Sequence, residues 1–195
     1  MRPHDDHPEI QNEGLRYDGR RFTVTGKLAG KPYGNPFGVD VVVGEPIFGA
    51  SDLMVAPDLL GFAGVPPPTL TLCPLEAHIA EKLHAYTLPR SRPNSRVKDL
   101  PDLALLSTVR ALDAVTLRSI LDRVFAHRGT HPMPTRLPDA PATWSRPYAA
   151  MARDDSLPWP TIDDVVAAVR AFLDPILDHP LVATWSLADR SWRAR

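Results

Sequence analysis

Proline constrains this chain more than any other feature, with twenty-two spread along 195 residues. Each proline fixes its own φ, lacks an N–H donor and pushes the residue before it out of the helical region. Regular elements must therefore be short and joined by many stiff connections. Apolar residues make up 44% of the chain and charged ones 23%, the balance of an ordinary globular protein rather than a disordered or collagen-like one. The length allows one domain with a real core, or a compact domain with a helical extension.

A net charge of −1 excludes indiscriminate adhesion to nucleic acid, which needs a large excess of Lys and Arg. The single cysteine, Cys73, has no internal disulfide partner and reads as a small buried apolar side chain in a reducing compartment. The start, MRPHDDHPEI, has no signal-peptide core, and no later stretch is long and apolar enough to span a bilayer, so a cytoplasmic location is expected.

Residues 1–20 are polar and mixed, and predict no complete element. From Arg21, Phe22 and Val24 alternate with Thr23 and Thr25, as in a strand with one buried face. The turn-rich LAGKPYGNPFG then delivers the chain to a second strand, Val39–Val43, which is apolar except for Asp40. Residues up to Pro68 read as loops with apolar anchors at Leu59, Leu60 and Phe62. Helices dominate thereafter. Leu75, Ile79, Leu83 and Tyr86 mark one over 75–88; Leu100, Leu103, Leu106 and Val109 mark another over 99–109. Asp113 caps a third, which carries Leu117, Ile120, Leu121, Val124 and Phe125. A proline-rich connection leads to a long helix capped by Thr161, with Asp163 and Asp164 in its first turn and one face formed by Ile162, Val165, Val166, Val169, Phe172, Leu173, Ile176 and Leu177. The order is α+β, divided at residues 1–72 and 73–195, the two parts packed as one unit.

Few residues depart from this pattern in a way that suggests chemistry. Asp40, inside FGVDVVV, either faces solvent or is paired or metal-bound. Glu45 is more simply a loop acid. Lys82 falls between the apolar rows of Ile79 and Leu83, so its ammonium can reach a cleft from the edge of a buried face, or can belong to an ordinary surface helix. Asp99 and Asp102, three apart, share one side of a helical turn, where Asp99 can also charge the helix N-terminus. Arg90, Arg92, Arg96 and Lys98 form the one dense basic stretch, suited to phosphates or simply solvated. His127 and His131 have a zinc-like spacing, but Gly129 and Pro132 end the helix between them and two ligands do not make a site. His78 and His84 flank Lys82 at what reads as poor helical phasing.

The blocks FGVDVVVGEP and IAEKLHAYTLPRSRPNSRVKDLPDL resemble the AbiEii/AbiGii toxin family of nucleotidyltransferases, and the likeness runs from about Gly14 to the C-terminal tryptophans. The resemblance implies a partial nucleotidyltransferase-like sheet followed by a mostly helical C-terminal part. It implies a toxin of a bacterial toxin–antitoxin or abortive-infection system that moves a nucleotide from an NTP onto tRNA with Mg²⁺, and a cognate antitoxin as partner. Carried over residue by residue, Asp40 looks like the metal carboxylate and Lys82 the triphosphate lysine. Asp99 looks like the later catalytic aspartate with Asp102 beside it, and Arg96 and Lys98, in the basic stretch, are the expected nucleotide contacts.

One family motif has no counterpart. An Asp-x-Asp pair on a strand after a glycine turn is expected upstream of Asp40, and Asp5-Asp6 does not supply it, because adjacent acids on a strand face opposite ways. The sequence thus reads as truncated relative to the family and inactive alone, with a non-catalytic antitoxin- or RNA-binding remnant as the alternative.

Overall fold

The computed structural model describes residues 2, 3, 18–44, 46–91 and 96–195. Glu45, the Asp5-Asp6 pair, Arg92, Pro93 and Asn94, which the sequence reading considered, lie outside the described residues. The chain forms two compact units, Met1–Pro46 and Ile47–Arg195.

The first unit is an antiparallel sheet in the order β1 (Arg2–Pro3), β2 (Asp18–Leu28) and β3 (Lys31–Val43). The Gly- and Pro-rich stretch between the strands is not the loop its composition suggested. It runs as strand from Lys31, and the turn is only Ala29-Gly30, with φ of 49° and 79° and Leu28 opposite Lys31. Positive φ at both central residues gives a tight turn whose twist matches that of the strands it joins, and glycine at the second position makes it accessible. A register shift between Val24 and Gly26 absorbs the irregular sequence.

The second unit opens with a hairpin, β4 (Asp52–Val55) on β5 (Thr69–Leu72), where the sequence predicted loop. Leu59, Leu60 and Phe62 are exposed at its tip rather than anchored, Phe62 to 90%. Helices α1 (Leu75–Thr87), α2 (Asp99–Leu106), α3 (Ala114–Arg128), α4 (Ser145–Asp154) and α5 (Ile162–Asp178) follow, and a hairpin, β6 (Ala183–Ser186) with β7 (Ser191–Ala194), closes the chain. The α+β order is therefore as expected, with α4 and the last hairpin added.

Local signals explain both ends of α3 and the start of α5. The Asp113 carboxylate accepts from Thr116 N at 2.8 Å to start α3, and Thr161 with Asp164 forms a reciprocal capping box for α5. Gly129, with φ of 57°, ends α3 in the left-handed region. Helix α2 stops at Leu106, so Val109, expected on its apolar face, is exposed.

The core belongs to the second unit. Ile79, Leu83, Leu100, Leu103, Leu117, Leu121, Val124, Val169, Phe172 and Leu173 are fully or almost fully buried where α1, α2, α3 and α5 pack. The terminal hairpin plugs this core with aromatics, and its ring N–H groups are satisfied: Trp185 Nε1 donates to Ser107 O at 2.9 Å and Trp192 Nε1 to Phe172 O at 2.7 Å. Among the described residues, no helix is long and apolar enough to cross a membrane.

Candidate functional site

Helix α1 starts directly after Pro74, whose ring suits the residue before a helix, and its apolar rows are buried on both sides of Lys82. Glu81, the neighbour of Lys82, is tied to the buried Arg128 of α3 at 2.9 Å, and Glu76 is tied to Arg110 at 2.9 Å. These ion pairs and the apolar rows fix the rotation of α1. Lys82 is thereby turned toward the first turn of α2.

There its ammonium donates to Asp99 Oδ1 at 3.1 Å and to Asp102 Oδ2 at 2.5 Å. The three-residue spacing that put both carboxylates on one side of α2 is what lets one cation meet both. The two acids are not equivalent. The Asp99 side chain is 3% exposed and that of Asp102 is 40% exposed. Asp99 is the first residue of α2, whose N-cap position is Lys98, and its side chain caps nothing; it is committed to Lys82. Its second oxygen is buried without a hydrogen bond, and Arg96 Nε lies 3.9 Å from it. A buried acceptor left open costs on the order of 1–3 kcal/mol, and such atoms concentrate where a ligand completes the bonding.

Burial alone would favour the uncharged amine of Lys82, but hydrogen bonds and charge from Asp102 and Asp99 outweigh it and raise the pKa above its ordinary value. The lysine is a fixed cation at neutral pH.

His78 lies one turn before Lys82. A spacing of four puts both on one face. Its pKa is lowered by burial first and then by Lys82, with Asp102 opposing, which places the imidazole within reach of the same charges. His84, two residues after Lys82, faces elsewhere, toward Thr130. Lys98 is exposed. Arg90 donates to Ala85 O at 3.2 Å and so closes the end of α1.

Asp40 lies in the first unit with a partner of its own. It stands directly opposite Arg21 on β2, and both its oxygens accept from that guanidinium, at 2.6 and 2.7 Å. The hydrogen bonds from Arg21 hold its carboxyl below the usual range, against a small opposing effect of burial. A shallow cleft on this sheet is lined by Arg21, Thr23, Pro36, Phe37, Gly38 and Asp40.

Asp40, Asp99 and Asp102 are thus each bound to a cation of the protein's own. Among the described residues no three His, Cys, Asp or Glu side chains gather where they could hold a metal ion. As they stand they do not fit the all-oxygen shell that magnesium requires. His127 and His131, already discounted as a zinc pair, have different partners: His127 meets Phe48 edge-on at 5.7 Å, whereas His131 joins Thr87. Cys73 is exposed rather than buried, so its reading as a core residue is corrected. It occupies the turn between β5 and α1, where a small residue is accommodated without joining the core.

No curated protein matches the chain. A family model described as "Nucleotidyl transferase AbiEii toxin, Type IV TA system" matches residues 1–168, a span that includes Asp40, Lys82, Asp99 and Asp102. The chain belongs to the AbiEii nucleotidyl transferase toxin family of type IV toxin–antitoxin systems.

Proposed function

We propose that this protein is the nucleotide-transferring toxin of its system, acting on an NTP and a tRNA acceptor, with Lys82 as its triphosphate contact. The observation that carries this reading is the Lys82 ammonium held between Asp99 and Asp102 at the edge of the helical core. Transfer joins an acceptor hydroxyl oxygen to the α-phosphorus and breaks the bond to pyrophosphate. The protein's part is to position both reactants and offset negative charge on the phosphates.

A permanently charged lysine does the second task. Asp102, the more exposed acid, exchanges its share of the ammonium for incoming phosphate oxygens. Asp99, buried and with one oxygen open, keeps the lysine in place and offers that oxygen toward the acceptor side. Arg96 and Lys98, at the entrance to α2, extend the positive surface for the nucleotide. The cytoplasm, where NTPs and tRNA are found, is the matching compartment.

Asp40 is proposed as the metal carboxylate of the first unit. Magnesium there would require Arg21 to release the oxygens it now holds and further oxygen ligands to join. For that reason the 195-residue chain by itself is expected to transfer little.

Incubation with labelled NTPs, Mg²⁺ and tRNA tests the reading. Weak incorporation that Lys82→Ala abolishes supports it. Robust incorporation that survives Lys82→Ala overturns the assignment of the lysine, and robust incorporation lost in Asp40→Ala overturns the expected inactivity.

A second reading is favoured by the paired state of Asp40 and the lack of a three-ligand cluster among the described residues. In it the chain is a non-catalytic module that binds its antitoxin or RNA. Capture of the antitoxin independent of NTP, with no incorporation under any condition, distinguishes it.

A further inference from the structure

Beyond Lys82, the end of α1 is fastened by four side chains whose hydrogen positions follow from counting donors. Thr87 Oγ1 lies 2.9 Å from the Leu83 carbonyl oxygen and 3.4 Å from that of His84. A carbonyl only accepts, so the single hydroxyl proton of Thr87 points to the backbone. His131 Nε2, 2.8 Å from the same hydroxyl oxygen, must then donate to it. A neutral imidazole carries one N–H, which makes His131 Nδ1 an acceptor for the Thr130 hydroxyl 3.0 Å away. With that proton spent, Thr130 Oγ1 accepts from His84 Nε2 at 2.7 Å. Donation therefore runs in one direction, from His84 through Thr130, His131 and Thr87 to the Leu83 carbonyl. With both rings neutral, each therefore holds its hydrogen on Nε2.

The surroundings favour that state. The two imidazoles lie 4.8 Å apart between centroids, and Phe125 meets both edge-on at 5.1 and 5.2 Å. His84 is buried, and the charged side chain acting on it besides His131 is Arg128 of α3, whose guanidinium is held by Glu81 of α1. His127, also on α3, is occupied with Phe48. A proton added to His131 Nδ1 sets donor against donor and forces the Thr130 hydroxyl to turn away. A proton added to His84 puts a cation against Arg128 and His131.

We propose that His84, Thr130, His131 and Thr87 form an acid-sensitive clasp, closed at neutral pH, that holds the segment after α3 to the Lys82-bearing helix and opens as the imidazoles gain protons. The direction of titration agrees: burial, then His131 and Arg128, push His84 from 6.5 to about 4, and burial lowers His131. Both groups are less basic folded than unfolded. The stability they contribute is complete above pH 6.5 and is lost as pH falls toward about 4. The clasp stands on its own geometry and does not depend on the nucleotidyl transfer reading.

Two measurements on the full chain test it. Nitrogen-15 NMR of the histidine rings at pH 7.5 is expected to show His84 and His131 neutral and protonated at Nε2, with Thr130→Val raising the His131 pKa toward its ordinary value. Thermal unfolding from pH 7.5 to 5 is expected to lower the wild-type Tm more than that of His84→Gln/His131→Gln, which keeps the other histidines. Equal loss of Tm in both proteins overturns the clasp. So does a hydrogen on Nδ1 of either ring at pH 7.5, a measurement that stands even if the double variant fails to fold.

Discussion

The two units use charge and apolar surface in opposite ways. In Met1–Pro46 the only residue classed as buried among those described is Gly19, and the Arg21–Asp40 pair lies open to solvent on a strand face. In Ile47–Arg195 the helices bury a continuous core, and the Lys82–Asp99 pair is built into its edge. The same pairing of a cation with a carboxylate therefore means different things. On the sheet it is screened by water and contributes little. At the edge of the core, one partner cannot be removed without leaving a buried charge behind.

Core truncation should separate the units most sharply. Leu121→Ala in α3 is expected to cost about 2–5 kcal/mol by denaturant unfolding, whereas Val42→Ala on β3 should stay within about 0.5 kcal/mol. Equal effects would mean that the sheet has a buried face of its own. Next comes Lys82→Met, which strands Asp99 and should cost about 2 kcal/mol, below the roughly 3–5 kcal/mol of a fully buried broken pair because Lys82 is partly exposed.

That loss has a pH signature. The folded pKa of Lys82 lies above its ordinary 10.5, so its contribution is complete below that pH and disappears as pH rises through the folded value. The stability gap between wild type and Lys82→Met should close in strong alkali. Asp99→Asn should hurt more than Asp102→Asn, since the latter acid is hydrated. Removing the α3 cap by Asp113→Ala should cost about 1 kcal/mol. The smallest effect is expected on the sheet, where Asp40→Asn should leave Tm unchanged. A clear fall there would show that the sheet pair is shielded after all.

How far the sequence carried the fold depended on the range of the interaction that fixed each part. The capping box at Thr161, the Asp113 cap and the eight-residue apolar face of α5 were legible because every partner lies within a few positions. Strand β3 through KPYGNPFG and the β4–β5 hairpin were not, because pairing with a neighbouring strand overrode a composition that favours turns. Helix α4 was missed inside a proline-rich stretch whose buried Tyr148 and Trp144 are held by distant groups. Likewise, family resemblance singles out the candidate residues but says nothing of the partner each one has. Arg21 was unmarked in sequence, and the ring of His84, Thr130 and His131 joins positions more than forty apart.

The sequence by itself determined the family, the α+β order and the helices with self-contained caps. Only the tertiary structure decided that Lys82 meets Asp99 and Asp102, that Asp40 is held by Arg21, and that His84 and His131 hydrogen-bond to threonine hydroxyls. The physical reason is that propensity and capping act over one or two turns of chain. Burial and charge pairing depend on which surfaces the packed helices and paired strands bring together.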